Sequence, residues 1–248
     1  MSRSSTIPRS AEFALWYSAW ASGTTGLDDA RDAIVGSDAA HAVTGIPPVS
    51  DQSGSVPLIL ALGRFRSAGA TAAGIALPVP GDPLGLAGPR AFNADAIEAG
   101  ECVVFDGADL GLVPHRTGAG VVWSCYQAVS RRQVPDPFEA DTSLREAVLT
   151  AANALADLDV GRWRPEVADE LMALRRTADI NVPQAIAPRA LRLASMSARC
   201  RTIVELALEF DGAADGAREI DQRRVALSPL DHAARRGLVA VCSHPWER

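Results

Sequence analysis

Lysine is missing from this chain: all 24 basic side chains among its 248 residues are arginine. Chemistry that needs a lysine amine is therefore excluded, including Schiff-base and pyridoxal-phosphate catalysis, the phosphate-loop lysine, the kinase lysine and serine–lysine hydrolysis. Cysteine is scarce. The four at 102, 125, 200 and 242 form no CxxC or CxxH spacing, so they read as reduced, buried side chains, and neither a metal nor a cofactor is expected. GxGxxG, GxSxG, HxH and HExxH are also absent, which removes the dinucleotide fingerprint, the serine elbow and the common zinc spacings. No apolar run reaches the roughly 18–20 residues that span a bilayer. The polar stretch Met1–Pro8 has no apolar signal core behind it, so the expected location is the cytoplasm and no membrane partner is expected.

What is present is dominated by alanine. Its 45 residues make up more than a third of the 48% hydrophobic share, so large core side chains are modest in number but sufficient at this length. Alanine and arginine richness without lysine fits the codon bias of a GC-rich genome. The net charge is −6 and the arginines are spread over both halves of the chain, which makes nucleic acid an improbable partner.

The pattern along the chain predicts an α+β protein: an N-terminal helical hairpin, a central antiparallel sheet of four or five strands and a C-terminal helical bundle. Ser10 is expected to cap a helix over 11–22. A second helix follows from Asp28 to Ala42, with Asp28, Asp29 and Asp32 near its positive end, and Gly45–Pro48 closes the pair. Residues 49–57 read as a polar linker. Leu58–Arg66 suits a strand or a short helix, and Thr71–Val79 is apolar. Residues 80–90 repeat Pro and Gly too often for regular structure. Asn93 is expected to cap a short turn of helix to Ala99. Glu101–Phe105, Leu110–Pro114 and Gly120–Val129 read as strands joined by Asp106-Gly107 and Thr117-Gly118 turns. Residues 131–142 are a connector. Ser143–Glu146 has the form of a capping box, with Leu144, Val148, Leu155 and Leu158 on one face behind it. Pro165 opens another helix carrying Val167, Leu171 and Leu174. A long helix follows over Pro188–Phe210, with Gly212 closing it, and a last helix begins at Ser228-Pro229. The regions 1–48, 58–130 and 143–248 are expected to form one compact domain.

Several clusters are candidate sites. The rigid 80–90 loop carries Asp82 and Arg90 and leads to Asn93; it either meets an anion through arginine and backbone N–H groups or is a plain crossover. Asp106, Asp109 and His115, beside Arg116, lie at strand ends, where a converging carboxylate and imidazole suit acid–base work and separated ones are simply solvated. His41, His232 and His244 lack metal spacing. Phe13, Trp16, Tyr17 and Trp20 fall at i, i+3, i+4 and i+7, four of only 13 aromatics, and so share one helix face. That face either docks the helix on the core or meets a partner. Arg192 and Arg199, with Arg189 and Arg201 nearby, form the densest basic patch, either an anion site or a set of internal ion pairs.

Four stretches together, Trp16–Trp20, Asp82–Pro89, Phe92–Glu101 and Pro229–Gly237, resemble an uncharacterised protein family of GC-rich bacteria. The resemblance covers most of the chain and implies no active residue. Two functional expectations follow from the residues. The first is a non-catalytic cytosolic protein that binds a protein partner or self-associates through the aromatic face. The second is an enzyme or small-ligand binder with a pocket between the central sheet and the C-terminal helices, built on Asp82, Arg90, Asn93, Asp106, His115 or Arg116.

Overall fold

The computed structural model describes residues 7–47, 54–128, 133–157, 180–209 and 217–243. The chain divides into two compact units, one of residues 1–134, 181–187 and 242–248, the other of residues 135–180 and 188–241.

The first unit is built on α1 (Arg9–Ala21), α2 (Leu27–Val35), β1 (His41–Thr44), β2 (Val56–Pro57), α3 (Leu58–Ser67), β3 (Ala72–Ala76), α4 (Arg90–Ala99), β4 (Cys102–Asp106), β5 (Leu110–Thr117) and β6 (Gly120–Gln127). The strands form one sheet in the order β2-β1-β6-β5-β4-β3. The run β3–β6 is the expected antiparallel sheet, joined to Thr117↔Gly120 by a turn whose Gly118 has φ +59°. Two further strands were not expected. β1 lies parallel to β6, with His41 opposite Val121 and Val43 opposite Trp123, and β2 pairs antiparallel with β1.

The helical pair α1–α2 is present, but α2 stops at Val35 rather than Ala42. Gly36 takes φ +54° there, and the following His41–Thr44 gains more by pairing with β6 and burying His41 and Val43. The helix α1 begins two residues before the start that a Ser10 cap would give, after Pro8, and the Ser10 N–H donates instead to Glu101 Oε2 at 2.7 Å. Leu58–Arg66 is helical, with Leu58, Ala61, Leu62 and Phe65 buried at helical spacing.

The register sorts the sheet's two faces. One presents Phe105, Leu112, Trp123 and Val43 to α1 and α3. Phe13 stands 4.9 Å from Trp123 between ring centroids, Tyr17 is 5.0 Å from Phe105, and Phe65 is 4.6 Å from Phe105. This aromatic cluster is the main core. The other face presents Ala76, Cys102, Val104 and Val113, packed with Phe92 and Ala96 of α4. Gly111 makes that contact possible, because a Cβ there would lie 2.6 Å from Phe92 Cζ.

The outward edge of β3 is sealed by two hydroxyls. Ser18 Oγ accepts from Ala73 N–H at 3.0 Å and donates to Ala73 O at 3.1 Å. Ser243 Oγ does the same for Ile75, at 3.1 and 3.4 Å. Ala73 and Ile75 are the alternate residues whose backbone faces away from β4, so these serines satisfy groups that would otherwise invite another strand. At the far edge β2 is two residues long and ends in Pro57, which blunts that edge too.

The second unit contains α5 (Pro137–Asp157), α6 (Pro188–Glu209) and most of α7 (Ala217–Ser243). The helix α5 starts six residues before the predicted capping box: Asp136 Oδ1 accepts from the N–H groups of Phe138 and Glu139 at 2.8 and 3.1 Å, the geometry of a side-chain cap. Ser143 lies inside the helix. α6 spans the predicted long helix almost residue for residue, with Leu193, Cys200 and Val204 buried. α7 begins well before the predicted start at Ser228, and Pro229 sits within it. α6 and α7 approach closely where Gly237 faces Ser197, since any Cβ on Gly237 would overlap the Ser197 hydroxyl. The expectations at Pro48, Leu158, Pro165, Val167, Leu171, Leu174, Phe210, Gly212 and His244 lie outside the described residues, as does most of the 49–57 linker. No helix among the described residues is long and apolar enough to cross a membrane.

Candidate functional site

One polar group that converges on a sheet face is Asp95, His115 and Tyr126. The β5–β6 register puts Gly111 opposite Tyr126, Val113 opposite Ser124 and His115 opposite Val122, so His115, Ser124 and Tyr126 share the sheet face on which α4 lies. Phe92 and Ala96 turn the buried side of α4 toward that face, and Asp95 projects from its flank. One carboxylate oxygen, Asp95 Oδ2, accepts from Tyr126 Oη at 2.8 Å and meets His115 Nε2 at 3.0 Å. A carboxylate only accepts at neutral pH, so His115 presents Nε2–H to it and leaves Nδ1 as the acceptor of the neutral ring. The His115 side chain is 40% exposed and that of Asp95 18%. Burial first, and then the Asp95 carboxylate, push the Tyr126 phenol above its usual range, while the Ser124 hydroxyl works against the rise. Tyr126 is therefore a fixed donor at neutral pH.

Beyond α4 this face is only partly covered. Ala42, Thr44, Val122, Ser124 and Tyr126 are half-buried, and the register places their side chains together on β1 and β6. The result is a shallow surface with an apolar floor, flanked by an imidazole nitrogen and three hydroxyl groups. Such a surface can orient a small polar molecule by hydrogen bonds. Asp95 and His115 are a pair, and among the described residues no group of three or more His, Cys, Asp or Glu is placed to hold a metal ion.

The residues singled out from sequence fall in different places. His115 is in the cluster, but its carboxylate is Asp95 and not Asp106 or Asp109. Those two flank the β4–β5 turn, while His115 lies six residues further along β5, about 20 Å away at about 3.3 Å per residue. The Asp106 carbonyl accepts from Thr71 N–H at 2.8 Å and closes the sheet corner. Arg116 follows His115 and is exposed on the opposite side of the strand. Asp82 sits in a tight turn, its backbone exchanging hydrogen bonds with Val79 at 2.9 and 3.0 Å. The loop around it has Gly81, Leu84 and Gly85 in positive φ. Arg90 is exposed at the first residue of α4. Asn93 lies inside that helix and does not cap it, its N–H bonded to Pro89 O at 3.0 Å.

The aromatic face of α1 divides in two. Phe13 and Tyr17 are fully buried, and Tyr17 Oη donates to Ala70 O at 3.1 Å. Trp16 and Trp20 are half-buried. Trp16 Nε1–H donates to Asn181 O at 3.2 Å, and Arg66 lies 5.0 Å over the Trp20 ring. In the second unit Arg192 is exposed, whereas Arg199 Nε–H donates to Ser195 O at 3.3 Å, Arg201 pairs with Glu205 at 3.1 Å, and Arg189 stacks on Phe138. All four cysteines are buried, and none of them forms a disulfide. Burial pushes the Cys125 thiol up to about 12 and the Cys200 thiol up to about 11, which makes them poor nucleophiles.

Asp95 and Tyr126 were missed by sequence reasoning. The tight Thr117–Gly120 turn was a usable signal for Tyr126, because it fixes a register in which residues 115 and 126 share a face. Nothing local points to Asp95, whose partners are 20 and 31 residues away.

Residues 10–140 match the family model described as Rv1486c-like protein, N-terminal domain, and residues 138–239 match Rv1486c-like protein, C-terminal domain. The chain is 28% identical to "Uncharacterized protein Rv1486c" of Mycobacterium tuberculosis, with 96% of this chain and 98% of that protein covered. It is 30% identical to "Uncharacterized protein MAV321" of Mycobacterium avium over 64% of this chain and 65% of that one, and 25% identical to "Uncharacterized protein ML1804" of Mycobacterium leprae over 94% and 95%. No solved structure matches. The two family models together span nearly the whole sequence, and the chain belongs to the Rv1486c-like family.

Proposed function

We propose that the first unit is a binding module for a small polar ligand, held on the uncovered sheet face beside α4 by His115, Ser124 and Tyr126, with Asp95 positioning the imidazole and the phenol. The observation that carries this reading is the shared Asp95 Oδ2, at 3.0 Å from His115 and 2.8 Å from Tyr126. A carboxylate that fixes two side chains at once pre-organises them and lowers the cost of ordering them on binding. The reading is binding without covalent chemistry: the Ser124 hydroxyl is engaged with Tyr126, and the cysteines are buried with raised pKa values or without access. A thermal-shift screen of the full chain against small metabolites, followed by NMR mapping, tests it. Ligands should perturb the amides of β6 and α4, and His115→Gln should abolish the shift. Hits that map elsewhere, or that are indifferent to His115→Gln, would refute it.

A second reading, association with a protein partner or another copy, rests on one observation: Trp16 and Trp20 remain half-exposed on α1 after Phe13 and Tyr17 have been taken into the core. Light scattering after gel filtration at several concentrations tests self-association, which should weaken in Trp20→Ala. A strictly monomeric chain would end the self-association form of this reading.

A further inference from the structure

We propose that Arg9, Asp38, His41 and Trp123 form an acid-sensitive latch that fastens the start of α1 to the sheet, closed while His41 is neutral and released when it takes up a proton.

The argument starts from which atoms can donate. An indole Nε1–H donates and never accepts. Trp123 Nε1 lies 3.3 Å from His41 Nδ1, so Nδ1 must carry a lone pair. The ring proton is then on Nε2, which donates to Asp38 Oδ2 at 3.1 Å. The same carboxylate accepts from Arg9 Nε at 2.9 Å and from Arg9 Nη2 at 3.1 Å, a two-point grip. Arg9 is the first residue of α1, and the next residue, Ser10, is held through its N–H by Glu101 at 2.7 Å. The helix start thus hangs on two carboxylates, and the His41 tautomer orients one of them.

The imidazole has no exposed surface, while the Asp38 side chain is 12% exposed. The charged groups around it are Asp38 before β1, and Arg9 on α1, which itself faces Glu12 and Glu101. Trp123 of β6 packs on the ring edge-on, 5.9 Å between centroids. Burial is the dominant influence and lowers the His41 pKa; Asp38 opposes it, and Arg9 adds to it. Asp38 is held down to about 2, chiefly by its hydrogen bond from Arg9, so it stays ionised throughout the range in which His41 titrates.

A proton on Nδ1 would set two N–H donors against each other across the Trp123 contact and add a positive charge beside Arg9. The sign of the pH dependence follows. The native His41 pKa lies below the unfolded value of about 6.5, so the contribution of the latch is complete above that value. It falls as pH drops from about 6.5 through the native midpoint, and the opening equilibrium grows by at most about tenfold per pH unit. A separate acid limb follows below pH of about 4, where Asp38 in the unfolded chain takes up its proton.

The test is NMR on the full 15N-labelled chain between pH 7.5 and 5, with the Trp123 indole signal identified among the five tryptophans by Trp123→Phe. The His41 ring should titrate below 6.5. The protection factors of Trp123 Nε1–H and of the first amides of α1, which correct for the base-catalysed intrinsic exchange rate, should fall along the same curve. His41→Gln, whose amide can accept from Trp123 and donate to Asp38 without titrating, should be flat over this range. Protection of Trp123 Nε1–H that persists through the His41 titration would overturn the proposal, as would an unchanged pH response in His41→Gln. If His41→Gln fails to fold, the titration of the native chain decides alone by the first of these outcomes.

Discussion

Gly111→Ala isolates the contact that holds Asp95 in place. Gly111 is buried in β5 and needs no positive φ, so the substitution tests space alone. The added Cβ would lie 2.6 and 2.7 Å from two carbons of the Phe92 ring and 3.0 Å from Ala128 Cβ, where ordinary contact begins at 3.4 Å. The ring must retreat by about 0.8 Å, yet Phe92 is fully buried on α4 between Ala76, Val104 and Val113. Overpacking of this kind costs about 1–3 kcal/mol, and about 0.4–1 kcal/mol is recovered because alanine restricts the unfolded chain. The expected net loss is about 1–2 kcal/mol by urea denaturation, read as a lower midpoint at constant slope. A displaced α4 also carries Asp95 away from His115 and Tyr126, so ligand binding at the proposed site should weaken more than stability alone requires. Phe92→Leu supplies the control: it is destabilising by itself but should partly rescue Gly111→Ala, with a coupling of about 0.5 kcal/mol or more. A Gly111→Ala chain within about 0.3 kcal/mol of the native one, or strict additivity with Phe92→Leu, would refute the packing argument.

Asp95→Asn should bring the Tyr126 phenol back toward its ordinary range, because the carboxylate is one cause of its rise, while burial keeps it somewhat raised. Absorbance titration reads this beside Tyr17, the only other tyrosine, whose phenol is raised by its burial; an unmoved Tyr126 would mean that the Asp95 contact is not kept in solution. Ser18→Ala should cost about 1–3 kcal/mol, because it leaves the Ala73 N–H and C=O at the β3 edge without their hydroxyl. It should also promote aggregation by exposing that edge, measurable as light scattering on mild heating; a chain that neither weakens nor aggregates would show that the edge is protected by other means.

Much of the fold was legible because it follows from short-range pattern. The antiparallel strands from 102 to 127 announce themselves by apolar runs between glycine turns, and the α6 helix by its 3.6-residue stripe. The misplaced helix starts have one common source. Ser10, Asn93 and Ser143 each have capping chemistry and none caps a helix, because the chain around them forms helix already and the caps fall at Pro8, Pro89 and Asp136. Pro229 looked like a helix start for the same reason, although the preceding turn is helical.

By itself the sequence determined the chemical inventory: no lysine and no metal or nucleotide signature, together with the helical and strand periods that select an α+β fold. It also placed Phe13 and Tyr17 on one helix face. The tertiary structure alone decided which half of that face is core, that residues 41–44 leave the helical hairpin to join the sheet, and that Asp95 meets His115 and Tyr126. Those outcomes depend on pairing and packing between residues tens of positions apart. Local propensity carries no information about such contacts, because the free energy that selects them, burial and hydrogen-bond satisfaction across the sheet, exists only once the distant segments are together.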